Sequence, residues 1–497
     1  MMFYHAPLIA VMLPGVTGLI IYVAHRYFER FVDLLATAVS TISVLLILSL
    51  IGPLFDVRVY GRNSIVTTYP WIQPLNVDFG FLIDNVSLPI GAIIAIVGSL
   101  SCFYSIKYMK NVENKSEYYA NLLLFMTGMI GVIFSINLIQ FYLFWELMLI
   151  PSYFLLARWG TSRNRQNIAF KYFIFTHMGA LFLLLGILSL YSFAGSFSLL
   201  ELRFRLIYIP ISSISSIPII FTLFTLGFFI KMAAFPLHTW LPDTHSEAPT
   251  PISAMLSGAM INCGAYGIAR ILITIFGESM VSASNILLSL AIITMIYGGM
   301  MALAQTDIKR LLAYSSISQM GYIIFGFSTV SSLGVMGSLF HIVNHAICKA
   351  LLFLCVGSII HQTETRNLKQ LGGLIDKMPI TGFSCLIGIF SLAGTPPFNG
   401  FWSEWMIFAG GLASGKGIFT FIGVASTIIT AGYLLQFAWQ ILFGPVPKKL
   451  ENVKESPKWI LAPIVVLASA SIILGLWPGL ALEFLKPAAD YLATFFH

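Results

Sequence analysis

The sequence predicts an all-α polytopic membrane protein of about 14 transmembrane helices, and three observations carry that prediction. Its 497 residues are 58% hydrophobic and only 9% charged, with mean hydropathy +0.88. An average soluble domain carries roughly 25% charged residues. The apolar residues come in long unbroken runs, which excludes the alternating pattern of an outer-membrane barrel. Basic residues gather in the segments between those runs. Net charge +7 is thereby explained by topology and anionic lipid, and no nucleic-acid partner is implied.

In chain order the apolar segments fall near residues 7–25, 31–52, 81–105, 118–136, 138–157, 168–193, 214–235, 250–276, 283–303, 308–329, 334–360, 379–412, 417–444 and 459–478. The first is long enough to span and has no small-residue cleavage site, so no separate signal peptide is expected. Two segments are interrupted. The seventh runs into Pro236, Pro242, Pro249 and Pro251, and the twelfth carries Gly394-Thr-Pro-Pro-Phe-Asn-Gly400. Proline inside a helix breaks the backbone ladder, which a membrane tolerates only where protein or a water-filled cavity satisfies the freed groups. Spans 4–8 and 9–13 therefore read as two five-helix repeats, each holding one broken helix, 7 or 12. An odd number of helices per repeat inverts the second copy. The expected divisions are 1–117 for helices 1–3, 118–276 and 277–444 for the two repeats, and 445–497 for helix 14.

Loop charges set the expected orientation. With alternating spans and both termini on the outer side, most basic residues, among them Arg26, Arg30, Arg163, Arg165, Lys448 and Lys449, lie inside. Arg58, Arg62, Arg203, Arg205, Arg270, Lys416 and Lys486 lie outside.

Few ionisable groups fall inside the spans. They are Glu146 in span 5, Lys171 and His177 in span 6, Lys231 in span 7, His341, His345 and Lys349 in span 11, and Glu404 in span 12. A carboxylate at bilayer depth costs on the order of 2.5–3.5 kcal/mol on insertion scales, so by default it marks a function. Glu146 and Lys231 have opposite sign, and pairing offsets the desolvation of both. Moving or neutralising Glu146 then releases a proton from Lys231, and restoring the pair recaptures one. A static structural ion pair is the alternative. His341, His345 and Lys349 recur every fourth residue and lie along one helix stripe, suited to proton relay. A metal site is the competing reading of the two histidines, opposed by Lys349 and by the lack of a third ligand at obvious spacing. Glu404 is expected to end the relay toward the outside. Lys171 is a weaker relay candidate, because a lysine near a span end also snorkels to the interface. His238, Asp243, His245 and Glu247 sit at or just after the break in span 7, and His238 is the relay candidate among them. Asp84 and Asp307 read as acids at helix ends.

Cys102, Cys263, Cys348, Cys355 and Cys385 form no C-x-x-C and read as small buried hydrophobes. The chain lacks a phosphate-binding G-x-x-x-x-G-K-[ST], a dinucleotide fingerprint, a nucleophile elbow and H-E-x-x-H. No cofactor is expected in this chain, so any energy for pumping must come from a partner.

Four stretches resemble the antiporter-like subunits of respiratory complex I. They are Phe141-Tyr-Leu-Phe-Trp-Glu-Leu-Met-Leu-Ile-Pro-Ser-Tyr153, Lys231-Met-Ala-Ala-Phe-Pro-Leu-His-Thr-Trp-Leu-Pro-Asp-Thr-His-Ser-Glu-Ala-Pro-Thr250, Leu312-Ala-Tyr-Ser-Ser-Ile-Ser-Gln-Met-Gly321 and Gly400-Phe-Trp-Ser-Glu404. The resemblance covers nearly the whole chain. It is strongest to the chain M (subunit 4) type, whose twelfth-helix proton-site residue is a glutamate where the L and N types carry lysine. It implies a 14-helix core of two inverted repeats and a proton path through Glu146, Lys231, the histidine stripe and Glu404. It also implies neighbouring antiporter-like subunits and a peripheral redox arm that reduces a quinone-type carrier, quinone or phenazine, in a prokaryotic cell membrane. Asn262 departs from the pattern, since most chain M relatives carry lysine there. The run Ala346-Ile-Cys-Lys-Ala-Leu-Leu-Phe-Leu354 instead resembles the L and N types and the multisubunit cation/proton antiporters. Lys349 is therefore expected to occupy the central relay position. A divergent branch is implied, such as an archaeal deazaflavin-dependent dehydrogenase or a membrane hydrogenase. A sodium/proton exchange subunit and an inert scaffold are the competing readings.

Overall fold

The structure, a computed structural model, describes residues 5–54, 64–207 and 216–496. The first two helices are α1 (Ala6–Val23) and α2 (Val32–Ser49). An antiparallel hairpin of β1 (Ser64–Ile72) and β2 (Val77–Asp84) follows. Next come α3 (Ser87–Tyr108), α4 (Lys115–Phe134), α5 (Leu138–Trp159) and α6 (Arg165–Ala194). Helix α7 is in two pieces, Ile217–Met232 and Leu241–Glu247. Residues 250–303 run on as α8 (residues 250–275) and α9 (residues 277–303), divided by non-helical backbone at Phe276. Then follow α10 (Ile308–Ser328) and α11 (Ser332–Thr363), then α12 in two pieces, Pro379–Leu392 and Asn399–Ala413. The chain ends with α13 (Gly417–Leu442), α14 (Lys458–Leu476) and a shorter α15 (Gly479–Ala493).

Ten helices among the described residues are long and apolar enough to cross a membrane, with 250–303 taken as one. The broken α7 and α12 fall short in length. α10 is also outside that set; it carries Ser315, Ser316, Ser318 and Gln319, all fully buried. Buried polar groups also lie inside helices that meet the criterion, among them Asn262 in α8 and His341, His345 and Lys349 in α11.

The two halves repeat one another in detail. Asn137 caps α5 by accepting from Gln140 N, and Asp307 caps α10 by accepting from Lys309 N and Arg310 N. Each cap bridges to the segment after the following helix. Leu138 N and Leu199 N donate to Phe197 O and Ile136 O at 2.9 and 3.0 Å, while Ile308 N and Leu368 N donate to Arg366 O and Thr306 O at 3.0 and 2.9 Å. The first pair of bridges lies on the hairpin side of the molecule and the second on the opposite side, as inversion of one copy requires.

Connections alternate between two faces. On one, Asn137 Nδ2 reaches Asp78 O of the hairpin, Arg270 pairs with Asp84, and Ser332 Oγ donates to Asp490. His5 bonds Tyr69 there, so the ends of the described chain share that face. On the other, Lys115 pairs with Asp33, Arg158 with Glu117, and Arg366 reaches Thr161 and Ser246 O. This second face carries the basic loops. Arg58 and Arg62 lie outside the described residues.

The hairpin corrects the purely α expectation, since residues 81–84, expected to begin span 3, are strand. Asp84 does more than end a helix. It accepts from Val86 N and Ser87 N and holds Arg270 bidentately at 2.6 and 2.8 Å. Asp307 is the helix-end acid expected. All five cysteines are free and buried.

Candidate functional site

Glu146 and Lys231 do not form the ion pair expected of them. The Glu146 carboxylate lies 3.3 Å from His177 Nδ1, at the side of the bundle, where both side chains stay partly exposed. Lys231, 1% exposed near the end of the first piece of α7, has no hydrogen-bond partner. Its ammonium instead sits 5.2 Å from the ring centre of Trp145, the neighbour of Glu146. An indole face attracts a cation without neutralising it, so Lys231 is left without a carboxylate within 4 Å.

From Lys231 the line passes to α8. Gly264 of α8 packs against Phe228 O and the Lys231 side chain, and Gly258 against Ala346 O of α11. Between them stands Asn262, fully buried, whose Nδ2 donates to Gly258 O while Oδ1 has no partner. Two π-helical turns, Leu256–Met260 and Ile268–Ile273, flank it. Such turns widen the helix and recur at functional sites.

The central group is Lys349 on α11, fully buried, donating to Leu312 O at 3.3 Å and to Ser315 Oγ. His345, one turn earlier, is fully buried with both ring nitrogens unpartnered. His341, a further turn on, is fixed on both nitrogens: Nε2 bonds Gln319 Oε1 at 2.7 Å and Nδ1 bonds Ser403 Oγ at 2.9 Å. Ser403 precedes Glu404 in the second piece of α12. Glu404 is 7% exposed, has no basic partner within 4 Å, and keeps Oε1 unpartnered. Gly394 at the break has φ +65, and any side chain there would run into the Glu404 carboxylate.

Two relay candidates stand elsewhere. Lys171 leaves the buried line, because it pairs with Asp243 at 2.8 Å beside the basic face, and Arg310 holds the other Asp243 oxygen at 2.8 Å. His238 is buried against Phe235 and Tyr297, ring centres 5.6 and 4.7 Å away, with Nδ1 unpartnered. Sequence reasoning passed over His245 as a relay. It is fully buried with neither nitrogen partnered, and its ring stacks on Phe353 at 4.8 Å. Its place after a broken helix was the available signal. Gln319 and Ser403 were missed because neutral residues in an apolar run carry no charge signal.

Buried polar groups are normally hydrogen-bonded. Lys231, Asn262, His245, His345 and Glu404 each keep a buried unpartnered atom, and they follow one another from the first half to the second. That arrangement suits bridging water and proton hopping.

Residues 135–430 match the family described as NADH:quinone oxidoreductase/Mrp antiporter, transmembrane. The chain belongs to this family of antiporter-like membrane subunits. Residues 71–119 match the family of the complex I chain 5 N-terminus. A relative in Staphylococcus aureus, "Na(+)/H(+) antiporter subunit A1", is 34% identical over 97% of this chain, which spans only 62% of that longer protein. "NADH-quinone oxidoreductase subunit M" of Rickettsia prowazekii is 32% identical over 88% of both chains. A chain in the structure of the Mrp complex from Dietzia shares the fold, with TM-score 0.88 at 22% identity over 100% of both chains. This antiporter-like subunit is thus a multi-span membrane protein of the complex I and Mrp family.

Proposed function

We propose that the chain is the proton-translocating membrane subunit of a complex I-like dehydrogenase, moving protons in step with electron transfer to a quinone-type carrier. One observation carries this reading: the succession of buried polar groups from Lys231 through Asn262, Lys349 and His345 to His341 and Glu404, of which Lys231, Asn262, His345 and Glu404 each keep an unpartnered atom. Lys231, Lys349 and Glu404 are the residues that exchange protons, with His341 and His345 as relays. Glu146 and His177 act as the charge switch at the side of the bundle, where a neighbouring antiporter-like subunit packs. His238 and Lys171 serve the approach from the basic face, which is the cytoplasmic one by its excess of Lys and Arg. Electrons and any cofactor belong to a peripheral arm. The near-complete mutual coverage with subunit M supports this choice.

A sodium/proton exchange subunit is the second reading, favoured by the identity to the antiporter subunit over 97% of this chain. Proton transport in inverted membrane vesicles, with and without sodium, separates them. Electron-donor-driven, sodium-independent acidification and copurification of redox subunits support the first. Exchange that needs sodium and no donor supports the second.

A further inference from the structure

The hydrogen bonds around His341 fix where its proton sits. Gln319 Nε2 donates to Leu392 O at 3.5 Å, and Gln319 Oε1 lies 2.7 Å from His341 Nε2. A carbonyl only accepts, so the amide nitrogen of Gln319 faces Leu392 and its oxygen faces the imidazole. His341 Nε2 therefore carries a hydrogen and donates it. A neutral imidazole has one N–H, so Nδ1 of neutral His341 is a bare acceptor.

Ser403 Oγ stands 2.9 Å from that Nδ1. Asn344 Nδ2 donates to Asn399 O at 2.9 Å and to Ser403 Oγ at 3.0 Å. The Asn399 carbonyl fixes the orientation of the Asn344 amide, and Asn399 Nδ2 donates back to Asn344 Oδ1 at 2.8 Å. Asn399 is held in turn at Oδ1 by the hydroxyls of Ser391 and Ser471. All six of these polar residues are buried. Ser403 thus receives one hydrogen from Asn344 and has one of its own to give. Two acceptors stand within reach, His341 Nδ1 at 2.9 Å and Gly400 O at 3.0 Å. Both Gly400 and Glu404 lie in the second piece of α12, where Gly400 O is also the acceptor four residues before Glu404 N.

The two settings of the hydroxyl match the two charge states of His341. Beside neutral His341 the hydroxyl must point to Nδ1. Once Nδ1 is protonated, the imidazolium donates to Ser403 Oγ, and the serine hydrogen has to turn to Gly400 O. We propose that Ser403 is a positioning residue that ties the charge of His341 to the backbone carrying Glu404. Each protonation of His341 brings a second donor to the carbonyl that holds the Glu404 amide, and each deprotonation withdraws it. The hydroxyl turns and keeps its hydrogen, so no bond of Ser403 breaks. This inference rests on the proposed proton transport, and the test separates the two.

The first readout is the imidazole itself, by nitrogen NMR of the whole complex labelled with 15N-histidine, with His341→Gln identifying the signal. Neutral His341 is expected as the Nε2–H tautomer, and the Nδ1–H tautomer overturns the proposal. The second readout is proton translocation in inverted vesicles, with assembly read by copurification. Ser403→Ala is expected to lower translocation about tenfold, the scale of one net hydrogen bond, while Ser403→Thr keeps the hydroxyl and should stay within about twofold of wild type. Wild-type rates in Ser403→Ala overturn the proposal, and equal losses in both variants make Ser403 a packing residue and overturn it too. If Ser403→Ala does not assemble, the tautomer of wild-type His341 decides. His341→Gln and Glu404→Gln are the controls. If both leave translocation intact, the proposed transport has failed; if both lower it and Ser403→Ala does not, only the role of Ser403 has failed.

Discussion

The two broken helices carry one geometry with opposite electrostatics. Each break turns through a left-handed residue, Ala233 at φ +54 in α7 and Gly394 at φ +65 in α12. Each then places a carboxylate at the same distance along the chain, Asp243 after Ala233 and Glu404 after Gly394. Asp243 is partly exposed and held by Lys171 and Arg310. Glu404 is buried and holds no cation. A doubly paired carboxylate keeps its charge and fastens the halves together, since Lys171 belongs to the first and Arg310 to the second. An unpaired buried carboxylate is free to change charge when its surroundings change. Inverted copies of one element thus hold one carboxylate as a clamp and leave the other, the proposed proton site, without a cation.

The comparison breaks most readily at Glu404. Glu404→Gln should leave assembly intact and lower proton translocation in vesicles by about tenfold or more; undiminished translocation would reduce Glu404 to a packing residue. Lys349→Met should lose transport on the same scale, and adding Asn262→Lys should restore part of it by returning a lysine to α8. No recovery in the double variant would mean that Asn262 and Lys349 are not interchangeable positions.

The breaks themselves give a smaller, paired test. Gly394→Ala puts a methyl group into the Glu404 carboxylate and should slow transport several-fold, whereas Ala233→Gly relieves a left-handed alanine worth roughly 1–2 kcal/mol and should raise thermal stability without slowing transport. Equal effects at the two breaks would erase the asymmetry. The smallest effect is expected of Asp243→Asn: about 1 kcal/mol of stability from its partly exposed pairs, with transport changed less than twofold. A tenfold transport loss there would move Asp243 into the proton path.

Much of this was legible beforehand. The apolar runs marked the spans because a membrane admits only helices with internally satisfied backbones. Prolines located both breaks, and the charges at Glu146, Lys231, Lys349 and Glu404 were conspicuous against an apolar background. The hairpin was hidden because residues 77–84 join directly to the apolar run of α3 and share its hydrophobicity. The partner of Glu146 was misread for a different reason. Opposite sign suggests attraction but not distance, and the Trp145 ring takes the place beside Lys231 while His177 takes the place beside Glu146.

By itself, then, the sequence determined the membrane class, the number and sites of helix breaks, and which residues carry charge inside the apolar spans. Each of these depends on local composition, which burial in lipid penalises residue by residue. Tertiary structure alone decided which charges are neutralised. Compensation depends on contacts between helices far apart in the chain, such as Asp243 with Lys171 and Arg310, or Asp84 with Arg270. It left Lys231, Lys349 and Glu404 without a countercharge within 4 Å. Those three groups, and not the paired ones, are the proton-exchanging residues of the proposed function.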